Sequence, residues 1–184
     1  MTEKMSSCVE MTGVSKSFGH AVDFEAAKGE IHALLGENGA GKTTLMNILS
    51  GLYRMDEGRI AVDGREVDIH SPQDAIAVGV GMVHQHVELI GNFTALENIL
   101  LGREGSRWRL DVEARRGSVE ELAANYGLSI PLDEQVKTLP AGIQQKVEIL
   151  KALYHGADIL ILDEPTTMLT PHEVDGLFAM PRGG

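Results

Sequence analysis

Cysteine is nearly missing from this chain. Cys8 stands alone, which excludes an intrachain disulfide and a cysteine-rich zinc module and fits a reducing compartment. Aromatic residues are scarce: one Trp, three Tyr and four Phe are too few for a platform that stacks the bases of a single strand. Positive charge is in deficit. Sixteen Lys and Arg face 27 Asp and Glu, for a formal charge of −11. That is the opposite of a basic nucleic-acid-coating surface, and no nucleic-acid partner is expected. Net charge still leaves room for one local anion pocket. Long apolar runs are absent too. The longest stretch free of Asp, Glu, Lys and Arg runs from Ala75 to Val87 and holds two histidines, short of the about 20 apolar residues of a membrane helix. Residues 1–13 carry no apolar signal-peptide core.

Glycine is what the chain does have, 21 of 184 residues, in a length typical of one domain. Weak alternation predicts an edge strand over Val9–Phe18. The apolar run Glu30–Leu35, ending at Gly36, predicts a buried strand. Leu45, Met46, Ile48, Leu49 and Leu52 have helical spacing within Lys42–Leu52. Gly58–Ile69 reads as a hairpin turning at Asp63-Gly64, and Ser71-Pro72 as a helix start. Another strand is expected over Gly81–His86. From Phe93 to Leu139 the chain is richer in charge, Glu, Ala and Leu, and reads as an inserted helical subdomain. With the helix Gly142–Tyr154, whose Ile143, Val147, Leu150 and Tyr154 share a face, that subdomain covers about 93–155. Ile159–Leu162 is a continuous apolar run suited to a strand buried on both faces of a parallel sheet. Alternating strands and helices make the fold class α/β.

Gly36-Glu37-Asn38-Gly39-Ala40-Gly41-Lys42-Thr43 fits G-x-x-x-x-G-K-[ST], with a strand expected before it and a helix after it. Glycines let backbone N–H groups turn inward around phosphate oxygens, and the following helix offers its positive end to the same anion. Residues Gly36 to Thr44 are therefore the candidate ATP-binding segment. Lys42 is suited to bridging the β- and γ-phosphates, and the Thr43 hydroxyl to ligating Mg²⁺. Asp163-Glu164 closes the Ile159–Leu162 run. A carboxylate at the end of a parallel strand sits in the ligand crevice. Asp163 is suited to holding Mg²⁺ through water, and Glu164 to polarising the attacking water.

These residues resemble the nucleotide-binding subunit of an ABC transporter, and the similarity runs from about Val9 to Phe178. Gln85, in Met82-Val83-His84-Gln85-His86, matches the Q-loop glutamine. Leu139-Pro140-Ala141-Gly142-Ile143-Gln144-Gln145 occupies the place of the LSGGQ signature, and Thr167-Met168-Leu169-Thr170 that of the D-loop. The stretches GEIHALLGENGAGKTTLMNILSGLY, GMVHQH, GIQQKVEILKALYHGADILILDEPT and LTPHE are similar to the ATPases of simple-sugar and nucleoside importers, with a lean toward nucleoside.

The resemblance implies a P-loop ATPase fold with an N-terminal antiparallel β part, a parallel core sheet and the helical subdomain. It implies ATP hydrolysis with Mg²⁺ driving import. Gln85 would reach the metal and the attacking water, Phe18 would stack on adenine, and Gly142 would meet the γ-phosphate of a second ATPase half docked head to tail. The implied partners are that half, membrane permease subunits and, indirectly, a solute-binding protein. The implied location is peripheral, on the cytoplasmic face of the cell membrane.

The chain also departs from the family pattern. Pro140 stands where the signature has Ser and supplies neither hydroxyl nor N–H. The stretch from Phe18 to Gly36 is shorter than the family's, clipped around Gly19–Asp23, and a core role for Phe18 in an edge strand is an equal reading. Only twenty residues follow Glu164, with no further strand or switch histidine. The expectation is one C-terminally incomplete domain, 1–184, with its last strands missing and two central strand edges unpaired. Two alternatives stay open: a fragment that binds nucleotide without hydrolysing it, and an ATPase acting on ribosomes or DNA. His84 and His86 form a conceivable metal pair, but no third ligand has suggestive spacing.

Overall fold

A computed structural model describes residues 7–17, 21–37, 39–84, 88–102 and 112–163. Packing divides the chain after Gly81 into two compact units. The first opens with β1 (Ser7–Ser15), β2 (Val22–Ala27), α1 (Lys42–Leu49), β3 (Glu57–Val62), β4 (Arg65–Val67) and α2 (Pro72–Ala77), and β5 (Val80–Val83) spans the division. The second continues with α3 (Ala95–Leu100), α4 (Val112–Asn125), a 3₁₀ turn at Val136–Thr138, α5 (Ala141–Tyr154) and β6 (Ile159–Leu162).

In the first unit the strands order β2-β1-β3-β4, every pairing antiparallel. The expected edge strand is therefore an inner one: β1 pairs with β2 on one side and β3 on the other. Val9 faces Val62 and Met11 faces Ile60 across the β1–β3 ladder, and all four are buried. The register slips between Met11 and Val14, so the buried side chain after Met11 is Val14 rather than residue 13. One extra residue in a strand shifts the inward face in this way. Beyond β1, the Asp56 carboxylate accepts from Lys16 Nζ (2.6 Å), Ser17 N–H (2.7 Å) and Ser17 Oγ (2.6 Å). Lys16 first, then Ser17, holds the Asp56 pKa down at about 2.

The predicted hairpin forms. Asp63 and Gly64 both take positive φ, 49° and 73°, the mirror-image turn whose twist matches the flanking strands. Ser71 caps α2, accepting the Asp74 N–H, with Pro72 in the first helical turn. The segment Ile31–Leu35 forms no strand. Ile31 is 64% and Leu35 90% exposed. Strand geometry persists only where neighbouring backbone takes up the N–H and C=O groups, and among the described residues nothing ladders onto this segment.

The second unit is built on a helical core. Ala95, Leu96, Ile99 and Leu100 of α3, Val119 of α4, and Val147 and Leu150 of α5 are all buried in one cluster with Val136 and Leu139. Thr94 starts α3 with a reciprocal cap: its hydroxyl accepts the Glu97 N–H (3.1 Å) and Glu97 returns a carboxylate oxygen to the Thr94 N–H (2.7 Å). Among the described residues β6 pairs with β5 alone, and its four residues are half-buried rather than enclosed on both faces. No helix among the described residues is long and apolar enough to cross a membrane.

Candidate functional site

The first unit carries the glycine-rich loop. Gly39 and Gly41 take φ of 87° and 88°, left-handed torsions that glycine adopts without penalty. A Cβ at either would meet nothing within 4 Å, so torsion rather than crowding reserves both positions. Gly36 differs: its Cβ would press on the Ala40 Cβ at 3.3 Å and lie 3.9 Å from Lys42 Nζ, filling the curve of the loop. Ala40 N–H closes a turn on the Glu37 carbonyl (3.1 Å).

Gly41 is the cap of α1 and brings no side chain to it. The first bond into the helix runs from Leu45 N–H to the Gly41 carbonyl (2.9 Å). The N–H groups of Lys42, Thr43 and Thr44 precede it and have no intrahelical acceptor. They lie at the positive end of the helix dipole, where an anion is favoured. Lys42 Nζ donates to the Gly36 carbonyl (2.6 Å) and the Glu37 carbonyl (2.8 Å). The lysine thus braces the two ends of its own loop, and an ammonium carries three N–H donors. Thr43 is exposed and Thr44 half-buried, while Leu45 turns into the core.

The second unit carries Asp163 and Gly142. Asp163 lies one residue beyond β6, half-buried, and its N–H donates to the Val83 carbonyl at the end of β5 (3.1 Å). The C-terminal ends of the two strands therefore meet, the arrangement of a parallel pair. Pro140 caps α5 without a side-chain bond. Its carbonyl accepts from Ile143 N–H (2.9 Å) and Gln144 N–H (3.0 Å), so Gly142, second in the helix, has no intrahelical acceptor for its own N–H. Thr43 and Asp163 both present oxygen, the donor type that suits Mg²⁺. Among the described residues no three His, Cys, Asp or Glu cluster as a metal site. Phe18, Asn38, Gln85, His86, Glu164 and Thr167–Thr170 lie outside the described residues.

Two buried polar residues of this unit escaped the sequence reading. Asn98 is fully buried, and Glu148 is 8% exposed. Asn98 follows the Thr94–Glu97 cap by one residue, on a face shared with Thr94 one helical turn back, and that spacing is the signal for it. Glu148 falls three residues after Gln145, a polar stripe that reads as solvated until the packing is known.

The glycine loop of the first unit, feeding a helix start with no side-chain cap, has the form of a phosphate-binding loop. Comparison with known proteins gives the family. The family model described as ABC transporter matches residues 20–167, and the chain belongs to that family. It is 51% identical over 175 residues to the nucleoside import ATP-binding protein NupA of Lactococcus lactis, covering 92% of this chain and 35% of that one. It is 48% identical over 179 residues to the guanosine import ATP-binding protein NupO of Bacillus subtilis, covering 94% and 35%. The chain thus spans about a third of the length of these curated relatives. The crystal structure of a nucleotide-free ATP-binding cassette from an ABC transporter superposes with a TM-score of 0.80 at 23% identity, over 93% of this chain and 74% of that one. The expected α/β cassette fold is borne out.

Proposed function

We propose that the chain binds ATP with Mg²⁺ as the ATPase part of an importer for nucleosides or simple sugars, nucleosides being favoured. The observation that carries the reading is the Gly36–Thr43 loop, whose glycine torsions and Lys42 brace lead straight into an α1 start with no side-chain cap. In this reading Lys42 and the first-turn N–H groups hold the β- and γ-phosphates. Thr43, Gln85 and Asp163 would hold the metal, which when bound offsets phosphate charge. Glu164 takes the proton of the attacking water, Phe18 meets the adenine, and Gly142 offers its N–H to nucleotide held by a second ATPase half. The names of the relatives, nucleoside and guanosine import ATP-binding proteins, support the substrate class. In this reading the chain lies at the cytoplasmic face of the membrane beside permease subunits, which a solute-binding protein supplies. Affinity purification of the tagged chain from detergent-solubilised cells should recover a polytopic permease. Recovery of ribosomes in its place would overturn the importer reading.

A second reading, nucleotide binding without turnover, is favoured by the exposure of Leu35 directly before the loop and by Pro140 as a cap without a hydroxyl. The full chain is then expected to release phosphate from ATP at the background rate. A rate above background that Glu164→Gln abolishes refutes this second reading.

A further inference from the structure

Helix α5 buries two acceptor oxygens that no donor among the described residues meets. Gln145 is 5% and Glu148 8% exposed, and Gln145 Oε1 and Glu148 Oε2 both lack a hydrogen-bond partner. The two residues stand three apart in the helix. Such a pair shares one face, with Cβ atoms about 5–6 Å apart. The other carboxylate oxygen is engaged: Glu148 Oε1 accepts the Glu88 N–H. Burial pushes the Glu148 carboxyl pKa up. The Glu88 N–H, Lys151 further along α5 and His84 just after β5 work against that rise, and the Glu88 charge adds to it.

A buried polar atom without a partner is disfavoured, and a buried charge more so. Two orphan acceptors side by side cannot relieve each other, because neither donates. One proton changes that. Bound to Oε2, it removes the buried charge, and the resulting O–H is a donor beside an acceptor that has none. The neutral carboxyl still leaves Oε1 free to accept the Glu88 N–H. We propose that Gln145 and Glu148 form a proton-holding pair in the folded chain, the Glu148 Oε2–H donating to Gln145 Oε1, which makes the packing of α5 sensitive to pH. By linkage, stability from the pair is whole below the ordinary glutamate value, where folded and unfolded chains both hold the proton. It is lost as pH rises through the higher folded value.

Carbon-13 carboxyl shifts of the full chain, followed between about pH 4 and 8, read the proton directly, the Glu148 signal being the one lost in Glu148→Gln. Its titration midpoint should lie above the ordinary glutamate range, and a midpoint at or below that range overturns the proposal. Gln145→Met removes the acceptor, and the titration midpoint should then fall. A midpoint that holds or rises in this variant overturns the pair, since a rotated Gln145 amide donating to an ionised Glu148 would give a rise. Glu148→Gln imitates the protonated carboxyl, with an N–H in place of the O–H. Its thermal unfolding temperature should exceed that of wild type by about 3 °C at about pH 8, and the gap should close toward about pH 4. A gap constant over that range means that folding leaves the Glu148 pKa unmoved, and it overturns the proposal. Should Gln145→Met fail to fold, the wild-type titration still decides.

Discussion

Replacing Lys42 with alanine should lower the affinity of the chain for a fluorescent ATP analogue by roughly a hundredfold or more. Two losses combine. The first is direct: a charge-assisted bond from the one N–H donor not spent on the loop carbonyls to phosphate contributes about 1.5–3 kcal/mol, a factor of roughly ten to a hundred. The second acts through the loop. Lys42 Nζ holds the carbonyls of Gly36 and Glu37 together, and without that tie two carbonyl oxygens that repel an anion are free to turn toward it. Lys42→Arg should fall between wild type and alanine, because a planar guanidinium does not reproduce the compact donor geometry of an ammonium. AMP lacks the β- and γ-phosphates, so its weak binding should scarcely distinguish the three proteins. Equal ATP affinity in wild type and Lys42→Ala removes the phosphate site from Gly36–Thr43.

What the sequence disclosed about fold and site follows how local each determinant is. The torsions of Gly39 and Gly41, the Asp63-Gly64 turn and the Ser71-Pro72 start depend on a few bonds within their own segments, and the structure carries them as expected. Ile31–Leu35 failed for the converse reason. Its apolar run satisfies a strand pattern, yet strand formation depends on a neighbour that the run itself does not encode. The same dependence turned the expected edge strand at Val9 into an inner one, since two ladders rather than one meet there. Glu148 is invisible in the sequence because a polar side chain in a helix reads as solvated until the elements packed over it are known. Lys42 was read as a phosphate ligand from spacing. Its second task, bracing the loop carbonyls, exists only in three dimensions.

Gly51→Ala should destabilise the folded chain by about 3 kcal/mol, lowering its midpoint of thermal unfolding by roughly 10 °C. Gly51 ends the helix that the phosphate loop begins. Its N–H donates to the Ile48 carbonyl (3.1 Å) and the Leu52 N–H to the Asn47 carbonyl (2.8 Å). That pair of bonds closes a helix on a left-handed residue, and it stops α1 at Leu49, although apolar spacing continues to Leu52. The φ of Gly51 is 77°, and an alanine there meets a torsional penalty of about 1 kcal/mol. Crowding adds more. The new Cβ would lie 2.2 Å from the Ser71 carbonyl oxygen and 2.4 Å from its carbon. Those atoms belong to the backbone at the start of α2, which Ser71 and Asp74 lock by mutual hydrogen bonds, so no flexible side chain can yield. Relieving the contact requires one helix end to move, at a further cost of about 1–3 kcal/mol. Gly64→Ala is the matched control: its φ is 73° and its Cβ would meet nothing within 4 Å, so it should show the torsional penalty alone. Thermal denaturation of both variants beside wild type, followed by circular dichroism, separates strain from clash. Similar losses at Gly51 and Gly64 would mean that the two helix ends have room to part. A much larger loss at Gly51 fixes the direction of α1, and with it the aim of the N–H groups at its start, to the packing at its far end.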